Sequence, residues 1–445
     1  MGSFVPHTEA DIAAMLGFLG LEDLGELYAA VPAAIRLAGL DLPEGVAEAD
    51  LVATLGELAA ANRSAGAICF AGGGAYDHEV PAVVRQLAGR AEFVTAYTPY
   101  QPEVAQGVLQ ALFEYQTMVA RLAGLEIANA SLYDGAAALV EATNLAVAAS
   151  GSSLVYCSQG VNPHFAEVLR TFARGSGHAI ETVGLRDGVT AFDSLGGTAA
   201  GAVVVAYPNY LGVLEDLAAA RRAADRLGAL LVVCQDPIAA GLLRSPGEFG
   251  ADVVVGEGQA LGNPLGFGGP YLGLFACRAE HVRRLPGRLV GETVDEVGRR
   301  AYVTTLRTRE QDIRREKATS NVCTNETLLA VTAAIQLGWL GTTGLREVAL
   351  RCARGTRYCR EALGAIPGVE PVTSAPVLRE FAVRARVEGE VLVERILEDG
   401  YLAGIPLRQG FEGTGAEGGL LVAVTERRTK AEIDGYVAAF ARALR

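Results

Sequence analysis

Between Leu125 and Gly256 the chain alternates short, almost wholly apolar runs with longer segments whose apolar positions recur at helical spacing. Apolar runs of about four to eight residues predict buried strands, and the helical spacing predicts helices between them. Because the strands are apolar on both faces, the pattern indicates an α/β fold with a mainly parallel sheet covered by helices. The predicted order is strand Leu125–Asn129, helix Gly135–Ala149, strand Ser153–Ser158, helix Pro163–Arg174, strands Ala179–Leu185 and Gly201–Asn209, helix Leu217–Leu227, and strands Ala229–Asp236 and Asp252–Gly256.

The segments on either side of this core follow other patterns. Thr8 and Asp11 form a capping-box pattern before an apolar helix, and a further helical pattern spans Leu51–Arg63, which together predict an N-terminal helical arm. From Glu326 onward two helical patterns precede a mixture of short strands and helices, which predicts a small α+β domain. The predicted domains are the arm at 1–94, a large α/β domain at 95–325 and the small domain at 326–445.

Composition excludes several classes of function. With 51 acidic and 38 basic residues the net charge is −13, which argues against nucleic acid or an anionic membrane surface as a partner. No run approaches the length of a membrane span and the N-terminus has no basic leader pattern, so we expect a cytoplasmic location. The seven cysteines form no CxxC pair and the five histidines have no ligand spacing, so we expect no metal site.

The glycine-rich stretch Asp252–Pro270 joins the strand Val253–Val255 to a second apolar run at Leu272–Cys277. In a βαβ-rich enzyme, such a tight loop after a strand is a position where a cofactor-bearing lysine would lie. A carbonyl cofactor needs a primary amine to form a Schiff base. No lysine occurs in the stretch, and the whole chain contains only Lys317 and Lys430, so amine chemistry has two candidates.

Two tyrosines precede a predicted helix that begins near Pro102, a residue suited to a first helical position. Tyr97, Tyr100 and Gln101 gather at this approach, where they would hydrogen-bond an anion or a polar ligand. The alternative is that both tyrosines are packing elements with hydrated hydroxyls, which is common near helix starts.

Two further candidates lie where predicted strands end, the edge at which α/β sheets bind ligands. Asp134 and Gly135 open the buried helix, so its free N–H groups either hold a phosphate or are simply capped by Asp134. Asp236 is either a carboxylate that pairs with a pyridinium nitrogen or a turn residue before Pro237.

An arginine-rich region follows at 290–325, and its mixture of arginine and glutamate predicts a solvated helical face. It ends in Thr319, Ser320 and Asn321, a run of hydroxyl and amide donors suited to phosphate or backbone contacts.

Several motifs together resemble the glycine cleavage P-proteins, which are decarboxylating glycine dehydrogenases of the fold-type I pyridoxal-phosphate class. The resemblance is to the N-terminal half of that enzyme, which some organisms make as a separate alpha subunit, or subunit 1. Small departures occur at Ala137 and Ala260, where the family pattern often has a hydroxyl residue. The motifs are TAYTPYQPEVAQG, IANASLYDGAAALVEA, GEGQALGNPLGFGGPYLG, PGRLVGETVD and TREQDIRREKATSNVCTN.

The resemblance implies that the cofactor lysine belongs to a beta subunit, with Gln259 at the corresponding place in this chain. It implies an α2β2 assembly whose active site lies between the subunits, with Tyr97–Gln101 and Thr319–Asn321 contributing in trans. Asp134, Gly135 and Asp236 would then form a vestigial pocket. The assembled enzyme would decarboxylate glycine with pyridoxal 5'-phosphate, release CO2 and pass the aminomethyl group to the lipoyl group of the H-protein.

Two alternatives remain open at this point. The chain is a self-sufficient pyridoxal-phosphate enzyme if Lys317 is buried and faces the cleft. It is a non-catalytic binding or regulatory module if only the fold has been kept.

Overall fold

The computed structural model describes residues 6–37, 39–62, 66–318, 320–408 and 410–445. These form two compact units, one within the first 63 residues and one from residue 66 to the C-terminus. The first unit contains α1 (Glu9–Leu19) and α2 (Glu48–Ala60), with short 3-10 turns between them. Thr8 caps α1 in a capping box with Asp11, as the sequence predicts.

The second unit contains the remaining elements. Its helices are α3 (Ala82–Ala88), α4 (Ala91–Val94), α5 (Gln106–Ala123), α6 (Gly135–Ser150), α7 (Pro163–Ser176), α8 (Leu217–Leu227), α9 (Gln311–Arg314), α10 (Thr327–Gly364), α11 (Gly389–Glu398) and α12 (Lys430–Ala443). Its strands are β1 (Ile68–Cys69), β2 (Ile127–Ala128), β3 (Leu154–Ser158), β4 (Ala179–Val183), β5 (Leu185–Arg186), β6 (Val189–Thr190), β7 (Ala202–Tyr207), β8 (Leu230–Gln235), β9 (Val253–Glu257), β10 (Gly273–Cys277), β11 (Leu289–Val294), β12 (Arg300–Thr305), β13 (Val369–Pro371), β14 (Glu380–Ala385), β15 (Tyr401–Leu402), β16 (Ile405–Pro406) and β17 (Leu420–Ala423).

A seven-stranded sheet forms the centre of this unit, in the order β2-β10-β9-β8-β7-β3-β4. The run from β9 to β4 is parallel throughout, and β10 is antiparallel to both of its neighbours. Every residue of β7 is buried, because helices cover both faces of the sheet. The mainly parallel α/β prediction is therefore confirmed.

Polar caps start three helices that follow strands of this sheet. Asp134 caps α6, Asn162 caps α7 and Asp216 caps α8, each accepting a hydrogen bond from a backbone N–H of the first turn. These helix starts lie beyond the carboxyl ends of the strands, so they surround one edge of the sheet. Ligands of open α/β sheets bind at this edge.

The C-terminal part forms a four-stranded antiparallel sheet in the order β13-β14-β17-β16, packed against α11 and α12. The short strand β1 pairs in parallel with β15, which attaches Ile68–Cys69 to this region. The division at 94/95 and 325/326 stays a prediction.

The arginine-rich region differs from its prediction. Residues 289–305 form the hairpin β11–β12, not a helical face. Asp295 closes its turn by accepting hydrogen bonds from the N–H groups of Val297 and Arg299, at 3.0 and 2.8 Å. Gln116 fixes the hairpin to α5 by bonding both backbone groups of Val290 at 2.9 Å. Each strand buries one apolar residue, Val290 in β11 and Tyr302 in β12, and the charged residues around them obscure this strand signal.

The two C-terminal helical patterns form one element, α10, interrupted at Gly341, whose backbone has φ 58°. Within the described parts of the chain, α10 is the helix long and apolar enough to cross a membrane. It packs inside the fold against α3, α5 and α12, through residues such as Ala333 and Cys359.

Candidate functional site

Asp236 lies directly after β8, at the carboxyl edge of the sheet, and forms a buried ion pair with Arg379 at 2.7 Å. The guanidinium of Arg379 also lies 3.3 Å from the ring centroid of Tyr76 and 2.7 Å from Nε2 of His78. Nδ1 of His78 in turn lies 2.6 Å from the Glu426 carboxylate. Burial alone would raise the pKa of Glu426, but the hydrogen bond with His78 lowers it to about 2. The carboxylate of Asp236 is therefore already paired within the chain.

The side chains around Arg379 include three groups spaced as metal ligands, because ligand atoms of His78, Cys352 and Glu426 lie within 4.8 Å of one another. Both ring nitrogens of His78 already contact other side chains, Arg379 and Glu426. These contacts favour an ion-pair network over metal coordination.

Tyr76 is carried by a loop that folds back into this edge of the sheet. Its hydroxyl donates to Glu380 at 2.6 Å, and the other oxygen of Glu380 accepts from the N–H of Gly73 at 2.6 Å. A Cβ at Gly72 would lie 2.3 Å from Oε1 of Glu380, so only glycine allows this close approach. Burial raises the pKa of Glu380, which lies in the fully closed part of the cleft. The loop at 72–78 is thus a built part of the cleft and not an open surface turn.

Gln259 lies two residues after β9 and is 1% exposed. Its Oε1 accepts from the N–H of Tyr76 at 2.8 Å, and its Nε2 donates to the carbonyls of Tyr76 at 3.1 Å and Asn263 at 2.7 Å. The amide therefore satisfies the backbone of the loop that fills the cleft. An amide nitrogen cannot form a Schiff base.

The start of α6 is occupied as well. The N–H of Gly135 donates to Oε2 of Glu257 at 2.9 Å, and Oδ1 of Asp134 caps the helix through Ala137 at 2.7 Å. Oε1 of Glu257 accepts from the N–H groups of Gln259 and Leu272, both at 2.9 Å. Burial raises the pKa of Glu257 to about 7. A carboxyl group of the chain itself thus takes the helix N–H that a bound phosphate would need.

Pyridoxal phosphate does not fit this cleft. Gln259 provides no amine, Arg379 neutralises the carboxylate that would face a pyridinium, and Glu257 takes the N–H at the helix start. The remaining cavity is about 90 Å³, whereas ligand pockets span roughly 300–1,000 Å³. The two lysines lie elsewhere, with Lys317 exposed and Lys430 paired with Asp434 at 2.6 Å. Lys317 therefore does not meet the requirement of the self-sufficient alternative.

A second cluster surrounds Tyr100. Tyr97 is 86% exposed and Tyr100 is 42% exposed, and Gln101 is exposed before a 3-10 turn at Pro102–Val104. The helix α5 begins at Gln106, later than the predicted start at Pro102, because Ala105 breaks the helical backbone with φ −121° and ψ 19°. The tyrosines therefore approach the 3-10 turn and not the helix end.

The hydroxyl and amide segment lies next to this cluster. Ser320 accepts a hydrogen bond from the N–H of Val322 at 3.1 Å and Asn321 is exposed, while Thr319 lies outside the described residues. The hydroxyl of Tyr133 accepts from the N–H of Cys323 at 3.0 Å, which fixes the end of the segment.

One guanidinium connects the Tyr97–Gln101 approach with the segment that follows Asn321. Arg288 donates through Nη2 to the hydroxyl of Tyr100 at 3.3 Å and to the carbonyl of Cys323 at 3.1 Å. Its Nη1 donates to Oδ1 of Asn325 at 2.6 Å. Arg288 was not among the residues proposed from the sequence, although it lies in the motif PGRLVG. Its place in this cluster follows only from its contacts, which join segments distant in the sequence.

The comparisons with known proteins identify the family. The family model described as "Glycine cleavage system P-protein" matches residues 2–440. The chain belongs to the glycine cleavage P-protein family. Among similar members, the probable glycine dehydrogenase (decarboxylating) subunit 1 of Moorella thermoacetica is 46% identical and that of Chlorobium limicola 45%, over 98% of this chain and 98% and 99% of theirs. The predicted family resemblance is confirmed.

Solved structures extend the likeness to three dimensions. A crystal structure of glycine decarboxylase, the P-protein of the glycine cleavage system, in an inhibitor-bound form matches with a TM-score of 0.93 and 45% identity, each chain covered completely. A NifS-like protein matches with a TM-score of 0.63 and 12% identity, over 84% of this chain and 98% of its own. The second likeness concerns the fold alone. Together with the sheet order, these matches confirm the fold-type I prediction for this P-protein family member.

Proposed function

We propose that the chain is the non-anchoring alpha subunit of a two-chain glycine dehydrogenase (decarboxylating). Its relatives carry that enzyme's name as subunit 1, over nearly the full length of both chains. The observation that carries the proposal is Gln259, a buried amide that binds the Tyr76 backbone in a cleft filled by the chain's own side chains. A subunit of an amine-dependent enzyme without a usable lysine needs a partner that supplies one.

The reaction proposed for the assembled enzyme is the decarboxylation of glycine, with release of CO2 and transfer of the aminomethyl group to the lipoyl group of the H-protein. Pyridoxal phosphate, held covalently by a beta subunit, supplies the electron sink for that chemistry. The alpha chain shapes the site and excludes water from it. We propose an α2β2 assembly in the cytoplasm, with glycine and the lipoylated H-protein as its substrates.

The contribution in trans rests on the surface around Tyr100. Tyr97, Gln101 and Asn321 are exposed, so their polar groups are free to meet a partner's site. Ser320 and Thr319 belong to the same proposed set. Asp134, Gly135 and Asp236 are assigned to the closed cleft, because their polar groups are engaged within the chain.

Reconstitution from two purified chains tests the proposal. Neither chain alone should exchange labelled bicarbonate into the glycine carboxyl, and the mixture with H-protein and pyridoxal phosphate should do so while eluting as one complex. The alpha chain alone should give no borohydride-trapped pyridoxyl adduct. Exchange by the alpha chain alone, or an adduct on Lys317, would support the self-sufficient enzyme. Full exchange by the beta chain alone would support the non-catalytic module.

A further inference from the structure

Arg288 is a buried arginine whose hydrogen bonds go beyond what packing requires. It lies just before β11 and is 6% exposed, and its donors reach four partners, Tyr100, Cys323, Thr324 and Asn325. All four accept through neutral oxygens. A buried guanidinium whose partners are all neutral is electrostatically incomplete.

Its neighbour Arg307 provides the comparison. Arg307 lies 4.6 Å from the ring centroid of Tyr100 and has acidic partners, Glu310 at 3.9 Å and Asp312 at 3.7 Å. Among the described residues, no carboxylate lies within 4.0 Å of Arg288. Arg288 therefore forms no ion pair of its own, although its charge and that of Arg307 oppose the burial that raises the pKa of Glu310.

The contact also fixes the role of the Tyr100 hydroxyl. A guanidinium has donors and no acceptor, so in the contact with Arg288 the phenol oxygen accepts. The phenol's own proton remains for another acceptor. Because Tyr100 is 42% exposed, that acceptor has room to come from outside the chain.

We propose that Arg288 is a positioning residue that holds Tyr100 as a hydrogen-bond donor toward an anionic oxygen in the reaction site of the partner subunit. The proposal rests on the proposed function. Two groups share this chemistry, the carboxylate of the glycine substrate and the phosphate of the cofactor. Arg288 touches neither of them in this scheme and acts through Tyr100 and the segment that ends at Asn325.

The test uses the reconstituted two-chain enzyme with Arg288→Lys, Tyr100→Phe and the double variant. Arg309→Lys is the matched control, since Arg309 is a buried arginine that donates to the carbonyls of Leu306 and Gly287 but does not contact Tyr100. Four quantities are measured for each variant: kcat, KM for glycine, the pyridoxal-phosphate concentration for half-saturation by absorbance, and complex formation by size exclusion.

Each single variant should lower kcat/KM about 10- to 100-fold, because one charge-assisted hydrogen bond is lost. The double variant should lose no more than the worse single variant, because both act on one interaction. A raised KM for glycine assigns the anion to the substrate carboxylate, and a raised half-saturation concentration assigns it to the cofactor phosphate. The control should retain kcat/KM within about threefold.

Losses that multiply in the double variant, or effects confined to complex formation, would overturn the proposal, since a packing role gives that result. An active wild-type pair that is indifferent to both substitutions would contradict this proposal alone. A wild-type pair without exchange activity would contradict the proposed function and this proposal with it.

Discussion

The side-chain amide of Gln259 binds both backbone groups of Tyr76, accepting from its N–H at 2.8 Å and donating to its carbonyl at 3.1 Å. The two residues belong to distant segments, the loop after β9 and the loop before α3. Their pairing joins these two loops within the cleft. A lysine placed at 259 would have no acceptor for the N–H of Tyr76.

We therefore expect Gln259→Lys to remain colourless with pyridoxal phosphate and to give no borohydride-trapped adduct at position 259. In this variant Asp236 is still paired with Arg379, the N–H of Gly135 is still bound by Glu257, and the cavity is still small. An amine alone therefore creates no cofactor site. Absorbance titration and mass spectrometry after reduction measure the outcome. A stoichiometric adduct at position 259 would show that the cleft opens readily.

Gln259→Leu should lower the free energy of unfolding by about 2–4 kcal/mol, because buried backbone groups of Tyr76 and Asn263 lose their partners. Gln110→Leu is the control, since Gln110 is exposed and bonds only Glu114; its change should stay within about 0.5 kcal/mol. Chemical denaturation gives both values. Equal losses would remove the structural role assigned to Gln259.

Arg379→Met should cost about 3–5 kcal/mol, because it leaves Asp236 buried without its cation. The double variant with Asp236→Asn should lose less than the sum of the two single losses. Arg299→Met is the control at an exposed pair, with Asp295 at 2.7 Å and an expected cost below about 1 kcal/mol. Additive losses in the cleft pair would contradict the ion-pair interpretation.

Glu257 predicts a pH dependence of stability. Burial raises its pKa from an ordinary value of 4.5 to about 7. The folded state then binds more protons than the unfolded state between these values, so this contribution is fully present below pH 4.5 and is lost as the pH rises through 7. The loss amounts to about 3 kcal/mol. In Glu257→Gln the decline in unfolding free energy across this window should be shallower; an unchanged slope would contradict the prediction.

Tyr97→Phe should leave the free energy of unfolding within about 0.5 kcal/mol of wild type, because the side chain is 86% exposed. If its hydroxyl acts in trans, the exchange activity of the reconstituted enzyme should fall by about 5- to 100-fold. Bicarbonate exchange and thermal unfolding separate the two effects. Wild-type exchange in this variant would remove the role in trans proposed for the Tyr97 hydroxyl.

The central sheet was predictable because its strands are buried on both faces and its helices begin at polar caps such as Asp134 and Asp216. Local sequence carries both signals. The hairpin β11–β12 differs from the prediction because Glu292 and Arg300 give the segment its charged character. Each strand nevertheless buries one apolar residue, Val290 opposite Thr304 and Tyr302 opposite Glu292.

The candidate site was only partly predictable for a different reason. The absence of lysine from Asp252–Pro270 is visible in the sequence, and the family resemblance points to Gln259. The contact of Arg379 with Asp236 and that of Arg288 with Tyr100 join residues far apart in the chain. Such pairings depend on the tertiary fold, and no local pattern encodes them.

The filled cleft joins four separate segments of the chain: the loop at 72–78, Asp236 after β8, Glu257 to Gln259, and Arg379 with Glu380. Each polar group there satisfies a group on another segment. A substitution at any one of them leaves an unpaired polar group elsewhere in the cleft, so we expect tolerated changes at these positions to come in matched pairs.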